Sequence, residues 1–145
     1  MKRLTLAVAM LSLWSAVPAR AQDQYTEGPV WDVTYVRTKP DQRDAYLTSL
    51  KENTAPILEE EKKEGLVLDY KILNNLTQKD PHDWDLAIAV QYKNFAALDG
   101  VEIKELEIRN KMFGSKKAAE ETMVQKRVEM REVVSVALYQ ELKMK

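Results

Sequence analysis

The order in which the hydrophobic period changes along the chain is the feature that most limits its fold. In some segments apolar and polar residues alternate, as in a strand, and in others apolar residues recur every three or four positions, as in a helix. The strand-like segments are residues 30–38, 66–76, 84–92 and 131–142, and the helical ones are residues 41–64 and 101–130. The sequence therefore predicts an α+β domain with the order β-α-β-β-α-β.

This order is that of the split β-α-β, or ferredoxin-like, arrangement. Right-handed crossovers place the first and third strands at the centre of a four-stranded antiparallel sheet, with the helices on one face. Pro56 lacks an N–H, so it is expected to kink the first helix or to open a second segment. Gly114 can end one helix and Ser115 can cap another, so an extra helix is expected in the second half.

The alternation also divides the strand residues between two faces of the sheet. We expect the more apolar set to face the helices: Trp31, Val33, Tyr35, Leu68, Tyr70, Leu86, Ile88, Val90, Val136 and Leu138. The other set is smaller-sided and mixed: Val30, Asp32, Thr34, Val36, Val67, Asp69, Lys71, Leu73, Ala87, Ala89, Gln91, Ser135 and Ala137. Such a face is too apolar for open water, and a second sheet could cover it. A homodimer formed through the sheet faces is therefore expected.

The first 21 residues have the pattern of an export signal. Lys2 and Arg3 precede an apolar run, residues 4–17, that is too short for a comfortable membrane span, and Ala19-Arg20-Ala21 fits a cleavage site. The alternative is a retained N-terminal anchor. We expect cleavage after Ala21, a flexible segment at residues 22–29, a single domain at residues 30–145 and a periplasmic or secreted protein without membrane attachment.

Charge and cysteine content exclude several classes of function. The signal takes three of the 22 basic residues and none of the 23 acidic ones, which leaves the mature domain with a net charge of −4. Phosphate binding needs a concentrated positive surface, so nucleic acid is not an expected partner. The chain has no cysteine, and therefore no disulfide, thiol nucleophile or thiolate metal ligand.

Three stretches resemble the dimeric α/β-barrel superfamily, and in particular its small secreted bacterial members. They are RTKPDQRDAYL after the first strand, YKNFAALDG after the third, and KRVEMREVVSVALYQEL leading into the last. The resemblance implies two ferredoxin-like subunits packed sheet to sheet. Some members bind haem or act as cofactor-free monooxygenases on aromatic substrates, with a pocket between sheet and helices, and many have no assigned activity. The haem-degrading members use an Asn, a Trp and a helix-borne His, and no predicted helix carries a histidine here.

The single histidine, His82, is the first candidate for a site. It stands among Asp80, Asp83 and Asp85, and could serve as a loop base or a metal ligand. One histidine without cysteine makes a dedicated transition-metal site improbable, and the loop lacks the glycine and terminal glutamate of a calcium loop. The favoured interpretation is a hairpin connection rich in the turn formers Pro and Asp. We predict no metal site and no cofactor.

Aromatic residues on the strands are the second candidate. They could form a wall for an apolar ligand, or they could be ordinary core. The members of this set are Trp31, Tyr35, Tyr70, Trp84 and Tyr92. Arg37, near the end of the first strand, could bind a carboxylate or simply lie exposed. Together with His82 these are the predicted ligand-binding candidates.

No catalytic residue can be assigned from a motif. The chain has no G-x-S-x-G elbow and no glycine-rich phosphate loop, and Glu59, Glu60 and Glu61 are interpreted as a solvated helix surface. Two hypotheses remain. One is an exported dimer that binds a small apolar or aromatic molecule without catalysis, or has a structural role. The other is a cofactor-independent enzyme of the monooxygenase type with a sheet–helix pocket.

Overall fold

The computed structural model describes residues 24–145, so the predicted signal at residues 1–21 lies outside the described residues. The strands are β1 (Tyr25–Thr38), β2 (Asp69–Asn74), β3 (Leu86–Tyr92) and β4 (Arg131–Met144). The α-helices are α1 (Arg43–Ser49), α2 (Ala55–Lys63), α3 (Val101–Phe113), α4 (Lys116–Glu120) and α5 (Lys126–Met130). Two π-helical turns, Leu50–Thr54 and Glu121–Gln125, join α1 to α2 and α4 to α5, and a short 3₁₀ turn spans Phe95–Leu98.

The strands form a four-stranded antiparallel sheet in the order β2-β3-β1-β4. The central strands are the first and third, and the element order is β-α-β-β-α-β with extra helical segments after β3. The predicted ferredoxin-like α+β fold is therefore confirmed. None of the helices within residues 24–145 is long and apolar enough to cross a membrane.

Strand β1 begins well before the predicted start at residue 30. Residues from Tyr25 pair with the end of β4, and the register shifts between Glu27 and Val30. A Cβ atom added at Gly28 would lie 3.0 Å from the Cβ of Glu141, so the two backbones approach closely where glycine stands. In the sequence, Gly28 and Pro29 suggest that the first strand begins only after them. In the fold they form an irregularity within the long strand β1.

The helices end and restart where the sequence indicates. Pro56 lies in the first turn of α2, directly after the π-helical turn, so the expected interruption of the first helix is confirmed. Gly114, with a φ of 78°, closes α3 in the left-handed conformation. The hydroxyl of Ser115 accepts a hydrogen bond of 3.1 Å from the backbone N–H of Ala118, which caps α4.

The predicted face of β1 is wrong. Val36 packs with Tyr46 and Leu50 of the first helical segment, so even-numbered residues of β1 face the helices. Trp31, Val33 and Tyr35 therefore lie on the opposite side of the sheet, which we call the open face. Because Asp32 and Thr34 are polar, their side of β1 was expected to lie away from the helices, but it faces them. This side of the sheet contacts a partly polar interior instead.

The register places residues of β3 and β4 on the helix side, as predicted for those strands. Thr34 is paired with Ile88 and Val136, and Asp32 with Val90 and Leu138. Directly opposed residues of antiparallel strands point to the same side. Val136 and Leu138 are nevertheless 58% and 47% exposed, so the helices leave the β4 part of this side uncovered.

The buried core is divided into small clusters. On the helix side, Val36, Tyr46, Leu50 and Leu86 pack at one end of the sheet. At the other end the cluster consists of Val67, Tyr92 and Val101, and a third cluster between helices consists of Ile57, Ile108 and Met123. Buried polar side chains, Thr54 and Glu61 among them, also lie in the layer between sheet and helices. We call this space the interlayer space.

Candidate functional site

His82 lies on an exposed connection between β2 and β3. Its backbone N–H donates to Oδ1 of Asp80 (2.6 Å), and its carbonyl accepts from Nη1 of Arg37 (2.5 Å). The residue borders two open surface cavities of about 470 and 510 Å³. No group of three potential metal-ligating side chains occurs among residues 24–145. The histidine is thus an exposed residue of the connection between β2 and β3.

Asp85, next to this loop, is buried and ties three segments together. Its carboxylate accepts hydrogen bonds from the backbone N–H of Thr38 (3.0 Å), from the Thr38 hydroxyl and from Nη1 of Arg43 (2.7 Å). Arg43 also donates to Oδ1 of Asn74 (2.8 Å). Of the three aspartates around His82, Asp85 therefore fixes the end of β1 against the start of α1.

Part of the predicted aromatic set lies together on the open face. The rings of Tyr35 and Trp84 meet edge to face with centroids 5.0 Å apart, and the hydroxyls of Tyr35 and Tyr139 are 3.0 Å apart. Nε1 of Trp31 donates to Oε1 of Glu141 (2.7 Å), and Nζ of Lys71 lies 4.8 Å from the centre of the Trp31 ring. Trp31, Tyr35 and Trp84 pack against the small buried residues Val33, Ala87 and Ala89 of β1 and β3.

Arg37 points to the open face near its edge and forms an ion pair with Glu132 (2.6 Å). The remaining aromatic candidates, Tyr70 and Tyr92, lie on the helix side. The hydroxyl of Tyr70 is exposed and donates to Glu59 (2.9 Å), whereas Tyr92 is buried. The fold therefore does not bring all the sequence-predicted candidates into one pocket, because Trp31, Tyr35 and Trp84 lie on the open face and Tyr70 and Tyr92 on the helix side.

Tyr92 leads to a polar cluster that the sequence did not reveal. Its hydroxyl donates to Oε1 of Glu105 on α3 (2.9 Å), and burial, followed by the charge of Glu105, raises the pKa of Tyr92 above its usual range. Glu105 also accepts from Nη2 of Arg109 (3.2 Å), one helical turn further on. We call Asp32, Glu61, Tyr92, Glu105 and Arg109 the interlayer cluster.

Glu61 is the most buried acid of the interlayer cluster, with 3% of its surface exposed. Burial, and secondly the negative charge of Glu105, raise its pKa to about 7 against the opposing effect of Arg109. A carboxyl group with this pKa can both donate and accept a proton near neutral pH. The interpretation of Glu59, Glu60 and Glu61 as solvated surface is thus wrong for Glu61.

Asp32 contributes a buried carboxylate oxygen from the central strand. Its Oδ1 has no hydrogen-bond partner within the described part of the chain. Burial, and secondly the charge of Glu105, raise the pKa of Asp32 above its usual value. Since buried polar groups normally have partners, an oxygen left in this state marks a place where another polar group can bind.

A pair of arginines lies on the same side of the sheet. Arg127 of α5 donates from Nη2 to Oγ1 of Thr54 (2.5 Å), and the guanidinium of Arg131 lies 5.9 Å from the centre of the Tyr46 ring. We call Arg127 and Arg131 the arginine pair. Tyr92 thus lies toward the end of the sheet where β1 pairs with it through Val30, and the arginine pair lies toward the other end, where Asp85 is also buried.

One signal for this site was present in the sequence. The helical period that marks Tyr46, Leu50, Thr54 and Ile57 as one face continues to Glu61, and the structure buries all of them. Because Glu59 and Glu60 directly precede it, Glu61 was interpreted as part of a solvated surface. Asp32 gave a weaker signal, because a single acid in a strand is more often at the surface.

Two solved structures share this fold. HapK from Hahella chejuensis is 15% identical, with a TM-score of 0.51, over 77% of this chain and 91% of HapK. Protein SO0527 from Shewanella oneidensis is 16% identical, with a TM-score of 0.52, over 83% of this chain and 97% of that protein. The sequence matches no protein-family model and no curated protein significantly. The predicted resemblance is therefore confirmed at the level of the fold.

Proposed function

We propose that the protein binds a small organic molecule in the interlayer space. The observation that carries this proposal is the Oδ1 atom of Asp32, which is buried and without a hydrogen-bond partner among residues 24–145. Leaving such an atom unsatisfied costs about 1–3 kcal/mol, which a donor group on a ligand would offset. Asp32 then acts as a polar anchor for the bound molecule.

The surroundings of Asp32 favour a ligand with an apolar body. Leu138, paired with Asp32, and Val136, two positions along β4, are apolar side chains that the helices leave partly exposed. Apolar walls with a few converging polar groups are typical of small-molecule sites. Some members of the superfamily that the sequence resembles also use a pocket between sheet and helices.

The working form in this proposal is an exported homodimer. On the open face, Tyr139 is 49% exposed and Leu73 is also exposed, next to the packed aromatic rings of Tyr35 and Trp84. A second copy of the same face would bury these groups. The export signal expected at residues 1–21 would direct this dimer to the periplasm or the medium.

The direct test is to identify molecules that copurify with the protein. Wild type, Asp32→Asn and the control Asp44→Asn, which changes an exposed acid on α1, would be made in the native host and extracted for mass spectrometry. We expect one organic compound in near-stoichiometric amount with wild type and the control, and at least a tenfold loss with Asp32→Asn. Equal recovery from all three proteins, or no compound with wild type, would contradict the proposal.

A second candidate function is acid–base catalysis without a cofactor. The pKa of about 7 at Glu61, close to Glu105, favours it, because a group that titrates near the working pH transfers protons efficiently. The copurified compound would be incubated with wild type and with Glu61→Gln. Conversion by wild type, with binding but no conversion by the variant, would support catalysis, and an unchanged compound in both would leave binding as the function.

A further inference from the structure

Arg127 and Arg131 are placed one helical turn apart at the junction of α5 and β4. Nε of each guanidinium is buried and has no hydrogen-bond partner within residues 24–145. Arg127 is held in place by Thr54 and by Sδ of Met123 at 3.3 Å, while Arg131 lies over the ring of Tyr46. Both side chains are thus positioned by neutral groups and retain unused donors.

Neither member of the arginine pair forms an ion pair with an acid among residues 24–145. Six ion pairs occur within residues 24–145, among them Arg109–Glu105 and Arg43–Asp85, and none includes Arg127 or Arg131. Burial lowers the pKa of Arg127, and the positive charges of Arg131 and Arg109 lower it as well, against the opposite effect of Tyr46. Buried guanidinium groups without a carboxylate are unfavourable unless an anion joins them.

Helix geometry at the same place supports a binding role. Thr54 ends the π-helical turn Leu50–Thr54, and Met123 belongs to the second π-helical turn, Glu121–Gln125. Pro56 accounts for the first turn, but residues 116–130 contain neither proline nor glycine that would account for the second. π-Helical turns occur often at functional sites, and here both contribute a contact to Arg127.

We propose that the ligand of the interlayer space is an organic acid whose carboxylate binds between Arg127 and Arg131. This inference rests on the proposed function and adds the chemical class of the ligand. Guanidinium groups hold carboxylates through paired, charge-assisted hydrogen bonds. The acids Asp32 and Glu61 in the same layer disfavour a second negative charge, so a monocarboxylate with an apolar body fits better than a phosphate ester.

The test compares matched acids and amides on the purified domain. Benzoate, 2-naphthoate and hexanoate, each with its uncharged amide, would be titrated by calorimetry into wild type, Arg131→Gln and Arg127→Gln. The control is Arg37→Gln, which removes one positive charge from the open face. Circular dichroism melting curves would verify that every variant is folded.

With wild type and with Arg37→Gln we expect at least one acid to bind about tenfold or more tightly than its amide. In Arg131→Gln and Arg127→Gln this preference should fall to about twofold or less, while amide binding stays within about twofold of wild type. Should either variant fail to fold, Arg127→Lys, which keeps the charge but loses the paired geometry, is expected to show an intermediate preference.

The outcomes separate the two proposals. Equal binding of acid and amide by wild type would overturn the carboxylate site and leave the proposed function standing. An acid preference that survives unchanged in both glutamine variants would overturn it as well. If no acid and no amide binds to wild type, the carboxylate site is refuted together with the binding function for compounds of this size.

Discussion

Tyr92 and Glu105 join the central strand β3 to helix α3 through a hydrogen bond of 2.9 Å between the tyrosine hydroxyl and Oε1. Because the bond lies in the interior, its loss leaves a carboxylate without one of its donors. We expect Tyr92→Phe to lower the free energy of unfolding by about 1–3 kcal/mol, measured by urea denaturation.

Tyr70 supplies the matched control for this prediction, because its hydroxyl also donates to a glutamate at 2.9 Å, but at the surface. Water replaces that bond when it is lost, so Tyr70→Phe should cost less than about 0.5 kcal/mol. Equal losses in the two variants would show that the Tyr92–Glu105 bond gains nothing from its burial.

Glu61 should make the stability of the protein depend on pH. Its pKa is near 7 in the folded protein and near 4.5 in the unfolded chain, so the folded state binds more protons between these values. The stabilising contribution is complete below about pH 4.5 and is lost as the pH rises through about 7. The loss amounts to at most about 3 kcal/mol.

Glu61→Gln should remove this slope and raise the free energy of unfolding at about pH 8 by about 1–3 kcal/mol. Glu64→Gln, at the exposed end of the same helix, should keep the wild-type slope. The measurement is denaturant unfolding across this pH range. A slope that persists in Glu61→Gln would assign the titration to another group.

Asp85 should prove structural although it lies beside the histidine loop. Asp85→Asn removes a buried charge that accepts from Thr38 and Arg43, which leaves the Arg43 guanidinium without its carboxylate. We expect a loss of about 2–4 kcal/mol in chemical denaturation. Asp83→Asn, in the adjacent turn, should cost about 1 kcal/mol or less. A larger effect at Asp83 would contradict this assignment.

The open face should carry the dimer contact. Tyr139→Glu places a charge on that face, whereas Val136→Glu places one on the helix side of the same strand, and both native side chains are about half exposed. Light scattering at micromolar concentration should give a dimer mass for wild type and Val136→Glu and a monomer mass for Tyr139→Glu. A monomeric wild type would refute the dimer.

The order of elements could be predicted because it depends on local patterns. Hydrophobic periods distinguish helix from strand, and Pro56, Gly114 and Ser115 act within their own turns. The assignment of faces failed because alternation shows which residues of one strand share a side, but not which side the helices cover. Asp32 and Thr34 face the helices because tertiary packing overrides the apparent polarity of that side.

The candidate site was harder to foresee, because its groups acquire their properties only from contacts distant in sequence. Glu61 has an ordinary carboxyl until the fold buries it and α3 places Glu105 nearby. Arg127, in a charged helix, and Arg131, at the start of the last strand, look like surface residues until the fold sets them against Thr54 and Tyr46. A single sequence shows residue types, but it does not show which polar groups lack a hydrogen-bond partner in the folded protein.

Because β1 pairs with β4 over a long stretch, this protein can complete its fold only after β4 has been synthesised. The register runs from Tyr25 opposite Met144 to Thr38 opposite Arg131, so the first strand of the described chain waits for the last. During synthesis a ribosome must release the residues of β4 before β1 gains its second neighbour. Until then β1 is an unprotected edge that can pair with other chains, and a truncation before residue 131 makes that hazard permanent.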